Sequence, residues 1–120
     1  MRIVTWNVNG IRAAIRKGLD DFLEKIEPDI LLLQEIRALE EQLPKDWESV
    51  MSEAIWHPAQ KKGYSGVSTW SNAEIIEMGR GMQSSVDYND DEGRILHTKH
   101  QHGDSYIPVS YTHLTLPTKA

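Results

Sequence analysis

Residues 28–35 read Pro-Asp-Ile-Leu-Leu-Leu-Gln-Glu, in which an unbroken apolar run at 30–33 follows a proline and an aspartate and precedes two polar residues. A run of this kind is typical of a strand that is buried on both faces, as in a parallel sheet. Residues 3–8, Ile-Val-Thr-Trp-Asn-Val, are rich in β-branched and aromatic types and predict a second strand. Asn9-Gly10 is a turn signal that ends it.

A helical pattern lies between these two strands. Apolar residues recur there at i, i+3, i+4 and i+7, which is one face of a helix: Leu19, Phe22, Leu23 and Ile26. Glu27-Pro28 ends the helix, because a residue before proline is pushed out of the α region. Strand, crossover helix and buried strand form a βαβ unit, so the sequence predicts an α/β fold with adjacent parallel strands.

The rest of the chain gives weaker signals. We predict a helix or broken helix over residues 36–52, interrupted by Pro44. Gly66 inside a strand-like segment indicates close backbone packing. Strands are predicted at residues 54–57, 64–70 and 75–76, and another begins over 94–98.

Composition limits the classes of protein that need to be considered. The chain has 120 residues, with 13 Lys and Arg against 18 Asp and Glu, for a formal net charge of −5. This length indicates one small domain. The absence of cysteine excludes a disulfide scaffold and a thiolate metal site. The acidic balance argues against a nucleic-acid coat protein, which would need a basic surface, but it is compatible with an acidic metal site.

The same composition bears on membranes and location. No apolar run approaches the roughly 18 residues that a membrane-spanning helix needs, so we expect no membrane partner. The first residues pass directly into a strand pattern without the apolar core of a secretory signal. We therefore expect a cytoplasmic protein.

Two polar residues follow the ends of the predicted strands. Glu35 comes directly after the buried run, and Asn7 lies near the end of the first strand. In an open α/β sheet, sites collect at the carboxyl ends of strands, so neighbouring strands would bring these side chains to one crevice. Mg²⁺ prefers carboxylate oxygen and keeps several waters, and Glu35 fits as its ligand. The alternative is a solvated glutamate at a strand end and an asparagine in a turn.

Four ordered motifs carry a family resemblance: Trp-Asn-Val-Asn-Gly-Ile-Arg-Ala at 6–13, Pro-Asp-Ile-Leu-Leu-Leu-Gln-Glu at 28–35, Lys-Gly-Tyr-Ser-Gly-Val at 62–67 and Glu-Gly-Arg at 92–94. Together they resemble the amino-terminal part of the exonuclease III family of AP endonucleases, within the endonuclease/exonuclease/phosphatase superfamily. The likeness covers about residues 1–107. It implies an incomplete four-layer α/β sandwich, in which two packed mixed sheets are flanked by helices.

The resemblance also implies roles for individual residues. Glu35 matches the glutamate that binds the catalytic Mg²⁺, with Mn²⁺ as an alternative metal. Asn7 matches the active-site asparagine that positions the phosphate and the metal-site groups. The residues expected to contact DNA are Arg12, Lys17, Arg37, Lys62 and Tyr64. Taken without the resemblance, these residues are solvated charges, a charged turn and a packing tyrosine.

The implied function is a Mg²⁺-dependent DNA repair nuclease. It would cleave phosphodiester bonds in double-stranded DNA at abasic sites and trim 3′ ends, and we expect a monomer. The family's later Gly-Asp-x-Asn and Ser-Asp-His segments are not in the sequence. The chain would hold one metal ligand and part of the DNA groove but no general base, so we expect it to be inactive alone. Its second sheet would be short of strands, with open edges.

Two alternatives remain open for the function. One is a superfamily phosphoesterase that acts on RNA or small phosphoesters, although the Lys-Gly-Tyr-Ser-Gly-Val motif argues against it. The other is a non-catalytic remnant that binds nucleic acid. His97, His100 and His102 match no closed zinc site, which needs four ligands, so we interpret them as structural.

The last stretch of the sequence has a different character. Residues 109–118, Val-Ser-Tyr-Thr-His-Leu-Thr-Leu-Pro-Thr, resemble one reading frame of a transposon-end sequencing adaptor. The alternative is a genuine strand in which Leu114 and Leu116 alternate with threonines. We expect a partial endonuclease/exonuclease/phosphatase domain over residues 1–107 and a non-native tail over residues 108–120.

Overall fold

The computed structural model describes residues 1–44, 51–60, 63–80 and 93–112. Two short helices and seven strands lie in these ranges. In chain order they are β1 (Ile3–Asn7), α1 (Ile11–Arg16), α2 (Leu19–Ile26), β2 (Ile30–Gln34), β3 (Glu53–His57), β4 (Val67–Ser71), β5 (Ile75–Arg80), β6 (Ile95–His102) and β7 (Ser105–Thr112). The strands predicted at 54–57, 75–76 and 94–98 are confirmed as parts of β3, β5 and β6.

The first sheet has the strand order β1-β2-β4-β3. β1 and β2 are parallel, with Ile3 opposite Ile30 and Asn7 opposite Gln34, which confirms the predicted βαβ unit. β4 runs antiparallel to both β2 and β3, so the sheet is mixed. All five residues of β2 are buried, as the apolar run predicts for an interior strand.

The second sheet is antiparallel, with the order β5-β6-β7. It contacts the first sheet through β4 with β6 and through β3 with β5. Alternate residues of β6, Leu96, Thr98 and His100, are buried. The described residues thus form a helix layer and two sheets, which confirms an incomplete α/β sandwich.

The core lies between the helices and the first sheet. Leu31 and Leu33 of β2 meet Leu19 and Leu23 of α2, all at most 2% exposed. Burying each of these leucines stabilises the fold by about 1.5–3 kcal/mol. Trp70 of β4 is also in this cluster and stacks on Trp56 at a centroid distance of 6.4 Å.

Two predicted elements differ from the structure. The helix or broken helix predicted over residues 36–52 is wrong for residues 36–44, where the structure has a single 3₁₀ turn at Glu40–Gln42, and for residues 51–52, which are not helical. Residues 45–50 lie outside the described part. A helix cannot begin here, because Arg37 has φ of 55° and the Ile36 carbonyl accepts the amide of Ile11 instead of an amide four residues further on. The strand predicted over 64–70 begins only at Val67, because Ser65 and Gly66 have φ of 46° and 91°.

Two features concern the edges of the described chain. β1 is an edge strand of its sheet, and Ile3 on it is 49% exposed. β7 continues to Thr112 in register with β6, beyond the predicted boundary at residue 108. The boundary between native sequence and tail stays a prediction, because strand pairing does not distinguish the two. A segment that contains β-branched residues can pair with an open sheet edge whether it is native or not. In the described ranges, no helix is both long and apolar enough to cross a membrane.

Candidate functional site

The carboxyl ends of β1 and β2 lie side by side and bring Asn7 and Glu35 together. Asn7 is opposite Gln34 in the parallel register, and Glu35 follows directly. The backbone pairing continues beyond the strands: the amide of Val8 donates to the Gln34 carbonyl at 3.1 Å, and that of Gly10 donates to the Glu35 carbonyl at 2.8 Å. The two side chains therefore meet at this edge of the sheet.

The Glu35 carboxylate is held by two donors. Asn7 Nδ2 donates to Oε2, and the Arg37 guanidinium donates to Oε1 at 2.8 Å. The Asn7 side-chain oxygen accepts the backbone amide of Asn9 at 3.0 Å, which fixes the orientation of the amide group. The side chain of Glu35 is 23% exposed and that of Arg37 is 45% exposed, so the carboxylate is sheltered but still open to a ligand.

Left-handed backbone conformations are concentrated around this carboxylate. Asn9, Glu35, Arg37 and Ser65 have φ of 47°, 52°, 55° and 46°. Each such conformation costs a non-glycine residue on the order of 1–3 kcal/mol and persists only where the surroundings impose it. Their clustering marks the place where the chain departs from regular structure, as functional sites often do.

Backbone hydrogen bonds impose this conformation from both sides. On one side, Gly10 and Ile11 donate to the carbonyls of Glu35 and Ile36, at 2.8 and 2.9 Å. On the other, Ile36 donates to Gly66 O at 3.2 Å and Arg37 donates to Ser65 O at 2.8 Å. The segment that carries Glu35 is thus fixed between the start of α1 and the loop before β4.

The same loop presents Tyr64. Its side chain is 41% exposed, and its hydroxyl lies 3.4 Å from a terminal nitrogen of Arg94. The Arg94 guanidinium carbon is 5.9 Å from the centre of the tyrosine ring, and Arg94 is only 8% exposed. Sequence reasoning missed this partner, although the Glu-Gly-Arg motif at 92–94 contains it. An arginine that follows a glycine directly before a buried strand is the signal that was available.

The other predicted DNA contacts are placed differently. Arg12 is exposed in the first turn of α1, directly after the residues bonded to Glu35 and Ile36. Lys17 is exposed at the carboxyl end of the same helix. Lys62 lies outside the described residues. The structure therefore brings Asn7, Glu35 and Arg37 into contact and leaves Arg12 and Lys17 as exposed charges.

The donor set limits the metal chemistry of the site. Among the described residues, no group of three or more His, Cys, Asp and Glu side chains is placed to hold a metal ion. The donor groups of the site are the Glu35 carboxylate, which is 23% exposed, and the side-chain amide of Asn7. This suits Mg²⁺, which is typically held by one or two carboxylates with waters and phosphate, and does not suit zinc, which needs three or four protein ligands.

Comparison with known proteins gives consistent results. The sequence pattern described as the Endonuclease/Exonuclease/phosphatase family matches residues 4–116. The chain is 36% identical over 100 residues to an exodeoxyribonuclease of Bacillus subtilis, covering 80% of the chain and 37% of that protein. It is 35% identical over 99 residues to the DNA repair nuclease APEX1 of Danio rerio, covering 80% of the chain and 31% of that protein.

A solved structure shows the same fold. The crystal structure of the AP endonuclease LMAP from Leishmania major superimposes with a TM-score of 0.70 at 26% identity, over 94% of this chain and 40% of that one. The chain therefore spans well under half the length of each of these relatives.

Proposed function

Because the chain belongs to the Endonuclease/Exonuclease/phosphatase family, we propose that it is part of a Mg²⁺-dependent DNA repair nuclease. The substrate is double-stranded DNA with abasic sites or 3′ ends, and the reaction is hydrolysis of a phosphodiester bond. Its relatives include an exodeoxyribonuclease and a DNA repair nuclease, which supports this substrate class. The chain covers 37% and 31% of those proteins, so the proposal concerns the activity of a longer protein.

The contact between Asn7 and Glu35 carries the proposal. A glutamate carboxylate, oriented by an amide and sheltered at the carboxyl ends of two parallel strands, is suited to hold a hard cation. We assign Glu35 as the Mg²⁺ ligand, with Mn²⁺ as the alternative metal, and Asn7 as the group that orients it. When bound, the metal neutralises negative charge on the phosphate oxygens.

The basic and aromatic side chains around this carboxylate supply the DNA contacts. Arg37 is exposed and bonds to it, Tyr64 is exposed in the loop that accepts the Arg37 amide, and Arg12 lies one residue beyond an amide bonded to Ile36. Arginine is suited to phosphate because its planar fork donates two parallel hydrogen bonds. We assign Arg12, Lys17, Arg37 and Tyr64 to the DNA interface, and we extend the assignment to Lys62 on its sequence position alone.

A binding experiment on the 120-residue chain tests the metal assignment. Mn²⁺ affinity, measured by electron paramagnetic resonance, is expected to fall at least tenfold in Glu35→Gln. The matched control is Glu77→Gln, because Glu77 also pairs with an arginine, Arg80 at 2.7 Å, but lies on β5 in the other sheet. Equal affinity in Glu35→Gln and the unchanged protein would refute the assignment.

A cleavage experiment separates the substrate classes. A protein that continues this chain to the length of its relatives is given abasic duplex DNA, a 3′-recessed duplex, RNA and a soluble phosphomonoester, with Mg²⁺ or with a chelator. We expect cleavage of the two DNA substrates only, and only with the metal. Preference for RNA or the monoester would favour the phosphoesterase alternative, while salt-sensitive DNA binding without cleavage would favour a binding remnant.

We further propose that the protein acts as a monomer in the cytoplasm. The absence of cysteine from the sequence is consistent with a reducing compartment. Sedimentation of the purified chain tests the oligomeric state, and a stable dimer at micromolar concentration would contradict it.

A further inference from the structure

The loop of residues 63–66 joins a predicted DNA contact to the segment that holds the proposed metal ligand. Tyr64 is exposed at one end of this loop, and the carbonyls of Ser65 and Gly66 accept the amides of Arg37 and Ile36 at the other. Glu35 directly precedes those two amides in the chain. A displacement of Tyr64 is therefore transmitted over two residues to the backbone that aims the carboxylate.

Arg94 is placed to prevent such a displacement. Its guanidinium lies near the hydroxyl end of the Tyr64 ring, 3.4 Å from the hydroxyl and 5.9 Å from the ring centre. Both contacts are attractive, since a cation near an aromatic ring interacts with its quadrupole and the guanidinium donates to the hydroxyl. Because Arg94 is 8% exposed, it is more closely confined than the tyrosine it contacts.

The preceding glycine fixes the position of Arg94. Gly93 has φ of +60°, and a Cβ built on it would lie 2.5 Å from the His57 carbonyl oxygen and 2.7 Å from the Pro58 carbonyl carbon. The backbone of Gly93 therefore packs directly against the backbone of His57 and Pro58, and this contact fixes the position from which the Arg94 side chain extends. Pro58 also lies against Gly66, whose built Cβ would be 3.3 Å from the Pro58 Cα. The end of the tyrosine loop at Gly66 and the glycine that precedes Arg94 therefore both pack against Pro58.

We propose that Arg94 is a positioning residue: through Tyr64 and the two carbonyls that follow it, Arg94 holds Glu35 in its binding orientation. The consequence for metal binding rests on the proposed function, whereas the mechanical link from Arg94 to Ile36 and Arg37 does not. The proposed role requires no contact of Arg94 with the metal or the carboxylate. Its first measurable effect is therefore on the backbone hydrogen bonds between the loop and residues 36 and 37.

The test measures amide hydrogen exchange and Mn²⁺ affinity in the 120-residue chain, with sucrose present to favour the folded state. In Arg94→Met, exchange at the amides of Ile36 and Arg37 is expected to accelerate about two- to fivefold. This is the change in the opening equilibrium that corresponds to the loss of one cation–π contact at an exposed site. Exchange at the β2 amides is expected to stay unchanged. Mn²⁺ affinity is expected to fall by a similar factor.

Two further variants separate positioning from folding. Tyr64→Phe keeps the ring and removes the hydroxyl, so it should give a smaller change at the same two amides and carries the test if Arg94→Met does not fold. Lys99→Met is the matched control, because Lys99 lies 4.8 Å from the Tyr106 ring on the second sheet, in a comparable cation–π contact away from Glu35. It should leave both measurements unchanged.

Two results would overturn the inference. One is unchanged exchange at Ile36 and Arg37 in both Arg94→Met and Tyr64→Phe. The other is equal acceleration across β2, which would reveal general loss of the fold. If the unaltered chain bound no Mn²⁺ while the exchange changes occurred as expected, the metal assignment of the proposed function would fail for this chain and the positioning role would stand. If the unaltered chain bound Mn²⁺ but the variants showed no exchange changes, the positioning role would fail and the metal assignment would stand.

Discussion

Gly66→Ala is expected to destabilise the fold and the site, because its added methyl group would not fit in the close contact that Gly66 makes with Ile36 and Pro58. The added methyl group would lie 2.8 Å from Cγ1 and 3.2 Å from Cδ1 of Ile36, and 3.3 Å from the Pro58 Cα. Ile36 is fully buried, so its side chain has no open space into which it can move. The backbone of Gly66 accepts the Ile36 amide, so relaxation of this clash also moves the residue next to Glu35.

The magnitude follows from two terms. A left-handed conformation costs alanine about 1–2 kcal/mol, partly offset by about 0.4–1 kcal/mol from the less flexible unfolded chain. Overpacking a buried contact adds about 1–3 kcal/mol. The free energy of unfolding should therefore fall by roughly 2–4 kcal/mol, which at a urea m-value of about 1.5 kcal/mol/M lowers the unfolding midpoint by about 1.3–2.7 M.

The assay is urea unfolding followed by tryptophan fluorescence, since Trp56 and Trp70 lie in the core. Gly103→Ala is the matched control, because Gly103 has φ of +61° but nothing within 4 Å of its built Cβ. It should shift the free energy by less than about 1 kcal/mol, the backbone term alone. If the two variants are equally stable, the contact between Gly66 and Ile36 is not the close approach that we describe.

Three other predictions concern separate features. Burial lowers the pKa of His100 below 6.5, so on acidification the unfolded state takes up a proton before the folded state does, and stability should be full above pH 6.5 and fall below it. The difference in melting temperature between pH 7 and pH 5 should be smaller in His100→Leu than in the unchanged protein. The control His102→Gln, at an exposed position, should keep the full difference. Ile3→Lys on the open edge of β1 should reduce aggregation measured by light scattering, and unchanged aggregation would point to another surface. Arg12→Ala should weaken DNA binding and lower the salt dependence by about one unit of slope, whereas Lys25→Ala on α2 should not.

The sequence was most informative where burial alone decides the structure. The apolar run of β2 and the helical spacing of α2 each follow from hydrophobic periodicity, and both elements formed as predicted. Placing Asn7 beside Glu35 needed only the rule that parallel strands end at the same edge. Such inferences depend on local pattern and on one topological step.

The rest of the site depends on contacts between distant segments. Residues 36–44 have a helix-compatible composition, yet Ile36 and Arg37 bond to residues about 30 positions away, and this tertiary pairing overrides the local preference. The contact of Arg94 with Tyr64 also spans 30 positions. No local pattern encodes which of several loops will meet, so these parts of the site were found only in the structure.

The ion pair between Arg37 and Glu35 raises the question of how a cation reaches the carboxylate. The pair is partly exposed, and exposed pairs contribute only about 0–1 kcal/mol, so opening it costs little. Asn7 donates to the other oxygen, so the carboxylate stays oriented if Arg37 turns away. Once released, the Arg37 guanidinium and a metal ion bound at Glu35 would present two adjacent positive charges to a phosphate. On the proposed assignment, Arg37 would shield the carboxylate before a metal binds and would become available to a phosphate afterwards, which would explain a cation two residues from the metal ligand.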